Sequence, residues 1–320
     1  TETERLNPPH VTTTTATSAS WVAREMPLVT HRFAPLDTPS AVADFLDGWS
    51  ISAAIFVEGD LWPRLLNGLK TRDVPQILLN ARNSRTRARF PAVFEALLAP
   101  FALVTCRSKA VADSLGELGL APERIHVLPD LRLTVPKLAA PQDTVELLSD
   151  AIGSRPVWVA ASTHPADEDA VLQAHQTVLD RFPDALLIIA PRHPIRGDAL
   201  YKLTKAMAFT VARRSLAQDV LPDTQVYIAD TLGELGVFFS LSSIVFLGGS
   251  FGQEGGHNPY QPAQFATALV SGPQVKNFAD AYAALQQAGA ATRVEDATSL
   301  GGVIVDLMCS GQQKSMGQAG

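Results

Sequence analysis

Short apolar runs alternate with amphipathic stretches along almost the whole chain. Ala53-Ala54-Ile55-Phe56-Val57, Gln76-Ile77-Leu78-Leu79-Asn80 and Leu103-Val104-Thr105-Cys106 have the length and apolar character of buried strands. Between them, residues 61–70 and 90–98 carry apolar side chains at helical spacing. A looser stretch with Pro129, Pro136 and Pro141 interrupts the pattern, which then restarts. Val157-Trp158-Val159-Ala160-Ala161 and residues 185–190, 226–229 and 244–247 are further predicted strands, separated by predicted helices over 169–181, 196–208 and 232–241. Such alternation calls for parallel sheets joined by crossover helices, the doubly wound α/β class. Two series meeting near residue 140 predict two Rossmann-like domains, 1–140 and 141–320. Open sheets of this kind bind ligands beyond the carboxyl ends of their strands, so the residues just after each strand are the candidates for chemistry.

Composition narrows the classes. A chain of 320 residues is longer than one hydrophobic core usually supports. With 46% hydrophobic and 18% charged residues it reads as folded and soluble. Its net charge of −6 argues against nucleic acid as a partner. Cys106 and Cys309 lie far apart and outside any metal-ligand spacing, as in a reducing cytoplasm, and no metal or cofactor is expected. No apolar run approaches the roughly 20 residues of a membrane span. The P-loop, the zinc-protease helix, the nucleophile elbow and the glycine-rich dinucleotide fingerprint are all missing.

Four strand exits stand out. Gly248-Gly249-Ser250, followed by Gly255-Gly256-His257-Asn258-Pro259, lets backbone approach a ligand, or simply makes two tight turns. Pro191-Arg192-His193-Pro194 places a guanidinium where it can grip phosphate, or where it makes a surface ion pair. In Ser162-Thr163-His164, Ser162 or Thr163 reads as a helix N-cap whose amides a ligand could share. Phe56-Val57-Glu58-Gly59-Asp60 delivers two acids to the start of a helix. Asp60 suits the helix dipole, and Glu58 is the candidate for acid/base or electrostatic work.

Taken in order, these pieces resemble one family. Val11-Thr12-Thr13-Thr14-Thr15, Pro35-Leu36-Asp37-Thr38-Pro39, Phe56-Val57-Glu58 with Leu61-Trp62-Pro63, and Asn80-Ala81-Arg82 are similar to the acceptor-side domain of 3-deoxy-D-manno-octulosonic acid (Kdo) transferases. In the second half, Trp158 to His164, Ala190-Pro191-Arg192-His193-Pro194, Asp230 to Gly236, Gly248-Gly249-Ser250 and Gly255 to Pro259 match in the same order. The resemblance implies a GT-B architecture with the reaction in a cleft between two Rossmann-like domains. It implies CMP-Kdo as donor and a lipid A precursor of the lipid IVA type as acceptor, reached by peripheral contact with the cytoplasmic face of the bacterial inner membrane. Pro191 and Arg192 would hold the CMP phosphate, and Leu232, Gly233 and Glu234 would line the nucleotide site. Asn258, Pro259, Tyr260 and Gln261 would reach the ribose and base. Ser162, Thr163, His164, Gly249 and Ser250 would form the donor-sugar or phosphate loop, with Glu58 and Arg132 as catalytic residues.

The chain also differs from the family pattern. Gln261 stands where the family usually has a glutamate, and Asp130-Leu131-Arg132 where Asn-Leu-Lys is expected. The family's general base belongs to a Ser-x-Gly-Glu loop well ahead of the threonine run, and a last long helix is expected beyond Gly320. A chain cut short at both ends would lack these, as would a catalytically idle member that binds nucleotide sugar without turnover. A GT-B enzyme using a UDP-sugar is the third reading. The arginines Arg82, Arg85, Arg87 and Arg89, followed by apolar Phe90, Val93, Phe94, Leu97 and Leu98, suit either anionic headgroups or a solvated turn before an ordinary helix.

Overall fold

The computed structural model describes residues 9–59, 61–82, 85–134 and 136–320, without the side chains of Arg85, Arg132 and Thr134. The sequence candidates Asp60 and the Arg85 and Arg132 side chains therefore lie outside the described residues. Two compact units divide the chain, Thr1–Thr134 and Val135–Gly320.

In the first unit, β1 (His10–Thr13) pairs in parallel with β2 (Thr30–Phe33). A separate parallel sheet runs in the order β3 (Ala54–Val57), β4 (Gln76–Ala81), β5 (Phe101–Cys106), β6 (Ile125–Val127). Side-chain caps set the helix starts. Thr15 accepts from the Ser18 amide at 3.1 Å and opens Ala16–Glu25. Thr38 caps Pro39–Asp47, whose proline sits where a missing N–H costs nothing. Asp37 reaches across to accept from the Arg64 and Leu65 amides, both at 3.0 Å, closing the start of Pro63–Lys70. Much of the Pro35–Pro39 motif thus has structural work to do.

The second unit holds one parallel sheet: β7 (Val157–Thr163), β8 (Leu186–Pro191), β9 (Val211–Arg213), β10 (Val226–Ile228), β11 (Ile244–Leu247), β12 (Ala268–Ser271) and β13 (Ala291–Arg293). Their spatial order is β13-β12-β11-β7-β8-β10-β9. Both faces are covered, so alternate residues of one strand enter different cores. Val159, Ile188, Val245 and Leu247 join one core, while Trp158, Leu187, Ile189 and Phe246 join the other. Burial on both sides is why these strands read as unbroken apolar runs.

Several element boundaries differ from the sequence expectation. The helix predicted from residue 169 begins at Pro165, with His164 as N-cap, so neither Ser162 nor Thr163 caps it. The helix predicted over 232–241 is the shorter Leu235–Ser240, because Gly233 at φ 84° turns the chain first. No helix follows Gly248-Gly249-Ser250 directly. β12 and β13 were not foreseen: each is only three or four residues long, and Ala291-Thr292-Arg293 has no apolar run.

Candidate functional site

Parallel strands send all their carboxyl ends to one edge, and in the second unit that edge gathers most of the candidates. β7 lies between β8 and β11, so the chain leaves it in one direction and later returns on its other side. That is a topological switch point, where open sheets bind ligands.

Two buried acids that sequence reasoning missed wire this edge together. Asp167, three residues into the helix after β7, accepts four backbone hydrogen bonds: from His164 at 2.9 Å, Gly249 at 2.7 Å, Ser250 at 3.1 Å and Phe251 at 3.0 Å. One carboxylate thereby closes a helix start and fastens the loop after β11 to the loop after β7. The amides of Gly249 and Ser250, expected to face a phosphate, are engaged by Asp167 instead. Gly248 is required by proximity, since a Cβ there would come within 2.7 Å of the Ser162 carbonyl oxygen and Thr163 Cα. Next along, fully buried Glu168 receives Arg196 through Nε at 2.9 Å and Nη2 at 2.6 Å, which anchors the turn after β8. The sequence signal was Asp167-Glu168 in the first turn of a helix, a pattern that ordinarily serves the helix dipole alone.

Held by these anchors, His164, Arg192, His193 and His257 form one cluster. His164 stacks on His257 with ring centroids 5.2 Å apart and Nε2 to Nε2 at 3.0 Å, and His193 meets His164 edge-on. A 3.0 Å approach of two Nε2 atoms requires one to donate and the other to accept. Burial, then His164 and Arg192, push His257 down to about 4, so His257 is neutral near pH 7. The Arg192 amide donates to the Thr163 carbonyl at 2.9 Å, which brings the ends of β7 and β8 into register. Thr163 is fully buried and its Oγ1 has no hydrogen-bond partner among the described residues. Ser162 is held at φ 55°, a strained conformation for a residue with a Cβ.

The nucleotide candidates follow β10. Leu232 is exposed and Gly233 turns the chain, but the Glu234 carboxylate is already engaged. Arg214 holds it at 2.6 and 3.2 Å, and Thr231 also donates to it. The hydrogen bonds from Arg214 keep the Glu234 carboxyl below its usual range. Asn258 accepts from the Tyr260 amide at 3.1 Å and shapes the segment through Pro259, Tyr260 and Gln261. That segment lies against the β11 loop, because the Gly256 amide donates to the Gly249 carbonyl at 2.7 Å.

The first unit has a polar cluster of its own at the carboxyl edge. Glu58, at φ 66° just past β3, forms an ion pair with Arg82 and lies 3.5 Å from Asn80 Nδ2. Asn80, also in the left-handed region at φ 58°, donates to Asp130 at 3.1 Å, and Arg107 donates to the other Asp130 oxygen at 3.4 Å. Arg107 escaped the sequence reading because nothing around it forms a motif. The proposed basic face needs correction at one position. Arg87 is turned inward, hydrogen-bonded to Ser114 at 3.2 Å, and burial lowers its guanidinium pKa. No helix of the described residues is long and apolar enough to cross a membrane.

Comparison with known proteins follows the same lines. Residues 4–135 match the family model described as 3-deoxy-D-manno-octulosonic-acid transferase (kdotransferase). A probable mitochondrial 3-deoxy-D-manno-octulosonic acid transferase of Arabidopsis thaliana is 33% identical over 91% of this chain and 68% of its own length. The Haemophilus influenzae 3-deoxy-D-manno-octulosonic acid transferase is 30% identical over 79% of this chain, which spans 61% of that protein. The solved C-terminal CMP-Kdo binding domain of WaaA from Acinetobacter baumannii is 29% identical, with a TM-score of 0.51, and covers 56% of this chain and 92% of that domain. A glycosyltransferase from Rickettsia africae covers 98% of this chain and 83% of its own, with a TM-score of 0.60 at 12% identity, a likeness of fold alone that supports the GT-B class. The chain belongs to the Kdo transferase family.

Proposed function

We propose that this chain carries the donor and acceptor domains of a glycosyltransferase that moves Kdo from CMP-Kdo onto a lipid A precursor. The observation that supports this most directly is the Arg192–His164–His257 cluster at the switch point of a unit similar to a CMP-Kdo binding domain. Breaking the sugar–CMP bond leaves negative charge on the phosphate and positive charge on the anomeric carbon. Pro191 and Arg192 receive the phosphate, and the guanidinium offsets the charge as it develops. Leu232, Gly233 and Glu234 line the nucleotide, with Asn258, Pro259, Tyr260 and Gln261 toward the ribose and base. Ser162, Thr163, His164, Gly249 and Ser250 belong to the loops that border the sugar. The first unit, residues 1–134, serves the acceptor, with Glu58 as its catalytic carboxylate and Arg132 as a second catalytic candidate. Its acceptor is a lipid, so the protein works in peripheral contact with the inner membrane.

Calorimetric titration with CMP and with UDP tests the reading. CMP should bind the intact chain in preference to UDP. Arg192→Ala should weaken CMP by about 1.5–3 kcal/mol, the range of a charge-assisted hydrogen bond. An intact chain that ignores CMP would remove the proposal. CMP binding without turnover of CMP-Kdo on a lipid acceptor would reduce it to a binding protein.

A further inference from the structure

Consecutive residues at the end of β9 hold the turn that follows β10. Arg213 donates through Nε to Asp230 at 2.5 Å and also pairs with Asp198, at the start of the helix Gly197–Ala206. Ser215 adds its amide to Asp230 Oδ1 at 3.0 Å and its hydroxyl to Oδ2 at 2.8 Å. Between them, Arg214 takes Glu234, with Nη2 2.6 Å from Oε1 and Nε 3.2 Å from Oε2. The base of this clamp is itself braced. The Arg213 amide donates to Gln218 Oε1, and the Ala217 amide to the Arg214 carbonyl, both at 2.9 Å.

Asp230 is buried under this clamp, but Glu234 stands at the open end of the turn, beside exposed Leu232 and with a quarter of its own side chain accessible. Among the described residues, Arg214 is the one cation within ion-pair distance of it. A nucleoside monophosphate brings negative charge to this turn, which a bare carboxylate would repel. Glu234 does not shed its charge by taking up a proton, because the hydrogen bonds from Arg214 hold its carboxyl below the usual range. The Tyr227 hydroxyl, which also faces the pair, is kept neutral by burial. Cancellation of the Glu234 charge therefore falls to the guanidinium.

We propose that Arg214 is a positioning residue of the donor site: it fixes the Thr231–Glu234 turn and cancels the Glu234 charge, so that an anionic nucleotide can lie against it. The inference rests on the reading of residues 232–234 as nucleotide lining. Arg214 is not a second phosphate grip beside Arg192, because its Nε and Nη2 are both committed to Glu234. A unit charge about 10 Å from a phosphate, at an effective dielectric constant of about 20, changes affinity by on the order of tenfold. Charge at position 214, rather than the forked geometry of a guanidinium, is then what the ligand feels.

Calorimetric titration of CMP into the 320-residue chain and its variants tests this, with a urea midpoint measured for each. Arg214→Gln should weaken CMP by about tenfold or more, and Arg214→Lys, which keeps the charge, by no more than about threefold. Glu234→Gln should bind at least as tightly as the native chain. The double variant Arg214→Gln with Glu234→Gln should return to within about threefold of native, since it leaves no unpaired charge. A double variant as weak as Arg214→Gln would mean that Arg214 touches the nucleotide itself, and would overturn the proposal. So would native affinity in Arg214→Gln, equal losses in Arg214→Lys and Arg214→Gln, or a loss in Glu234→Gln. Where Arg214→Gln fails to fold, the double variant against the native chain carries the test. A native chain that ignores CMP removes the proposed reaction as well, whereas native binding with these variants unmoved removes this inference alone.

Discussion

His175 shows how one side chain makes a fold pH-dependent. It lies inside the second unit, accepting from Trp158 Nε1 at 3.1 Å on Nδ1 and bonded through Nε2 to the Gln225 carbonyl at 3.0 Å. Those partners select the neutral ring with its proton on Nε2. Burial is the main reason its pKa falls from 6.5 to about 4. The unfolded chain takes up this proton as pH drops through about 6.5, but the folded chain does so only near 4. The contribution of the neutral ring is therefore complete above 6.5 and is lost as pH falls toward 4, by up to about 3 kcal/mol. Urea denaturation at about pH 7.5 and about pH 4.5 reads this directly. His175→Gln should be less stable than the native chain at the higher pH, with the gap narrowing at the lower. A constant gap would show that His175 does not carry the dependence. Glu58, Asn80 and Ser162 show a different residue-scale feature, each sitting in the left-handed region: Glu58 just past β3, and Asn80 and Ser162 one residue before the ends of β4 and β7. Such strain, of order 1–3 kcal/mol, persists where surrounding contacts hold it, and here it falls on the candidate site residues.

Between elements, the same edge is organised by carboxylates. Asp167 and Glu168 lie on one helix turn, yet they fasten the exits of β7, β11 and β8 to each other. Asp167→Asn replaces one carboxylate oxygen with an NH2 group that faces backbone donors, so at least two buried amides lose their acceptor. The expected loss is about 3 kcal/mol or more, measurable as a lowered urea midpoint with unchanged slope. CMP affinity should fall as well, because the loops bearing Gly249 and His164 lose their common anchor. A variant as stable as the native chain would mean that water or neighbouring groups replace the carboxylate. Asp167 also marks a limit of reading sequence. The run Val157–Ala161 announced its strand because burial on both faces demands apolar residues throughout. Arg192 and Glu58 stood out as candidates because strand exits are few. The partners that fix such residues, Asp167, Glu168, Arg107 and Arg214, come from distant parts of the chain and have no spacing to reveal them.

Over the whole molecule, strand–helix alternation made the parallel class legible, while short strands such as β12 and β13 were visible only through their pairing. Both cores of the second unit draw only on residues beyond 136, and one sheet spans them. Its ion pairs and helix anchors, Arg196–Glu168, Arg213–Asp230 and Arg214–Glu234, are likewise internal. A unit with its own core and its own internal ion pairs should fold alone. Residues 136–320 expressed alone should therefore unfold in a single cooperative transition. If the proposed donor site lies wholly within them, they should also bind CMP within about threefold of the affinity of the full chain, a difference below 1 kcal/mol. The first unit alone, with β1 and β3 each paired on one edge only among the described residues, should be the less stable half in the same urea titration. A second unit that folds but has lost CMP would place part of the nucleotide site on residues 1–134, because neither its core nor its switch point depends on them.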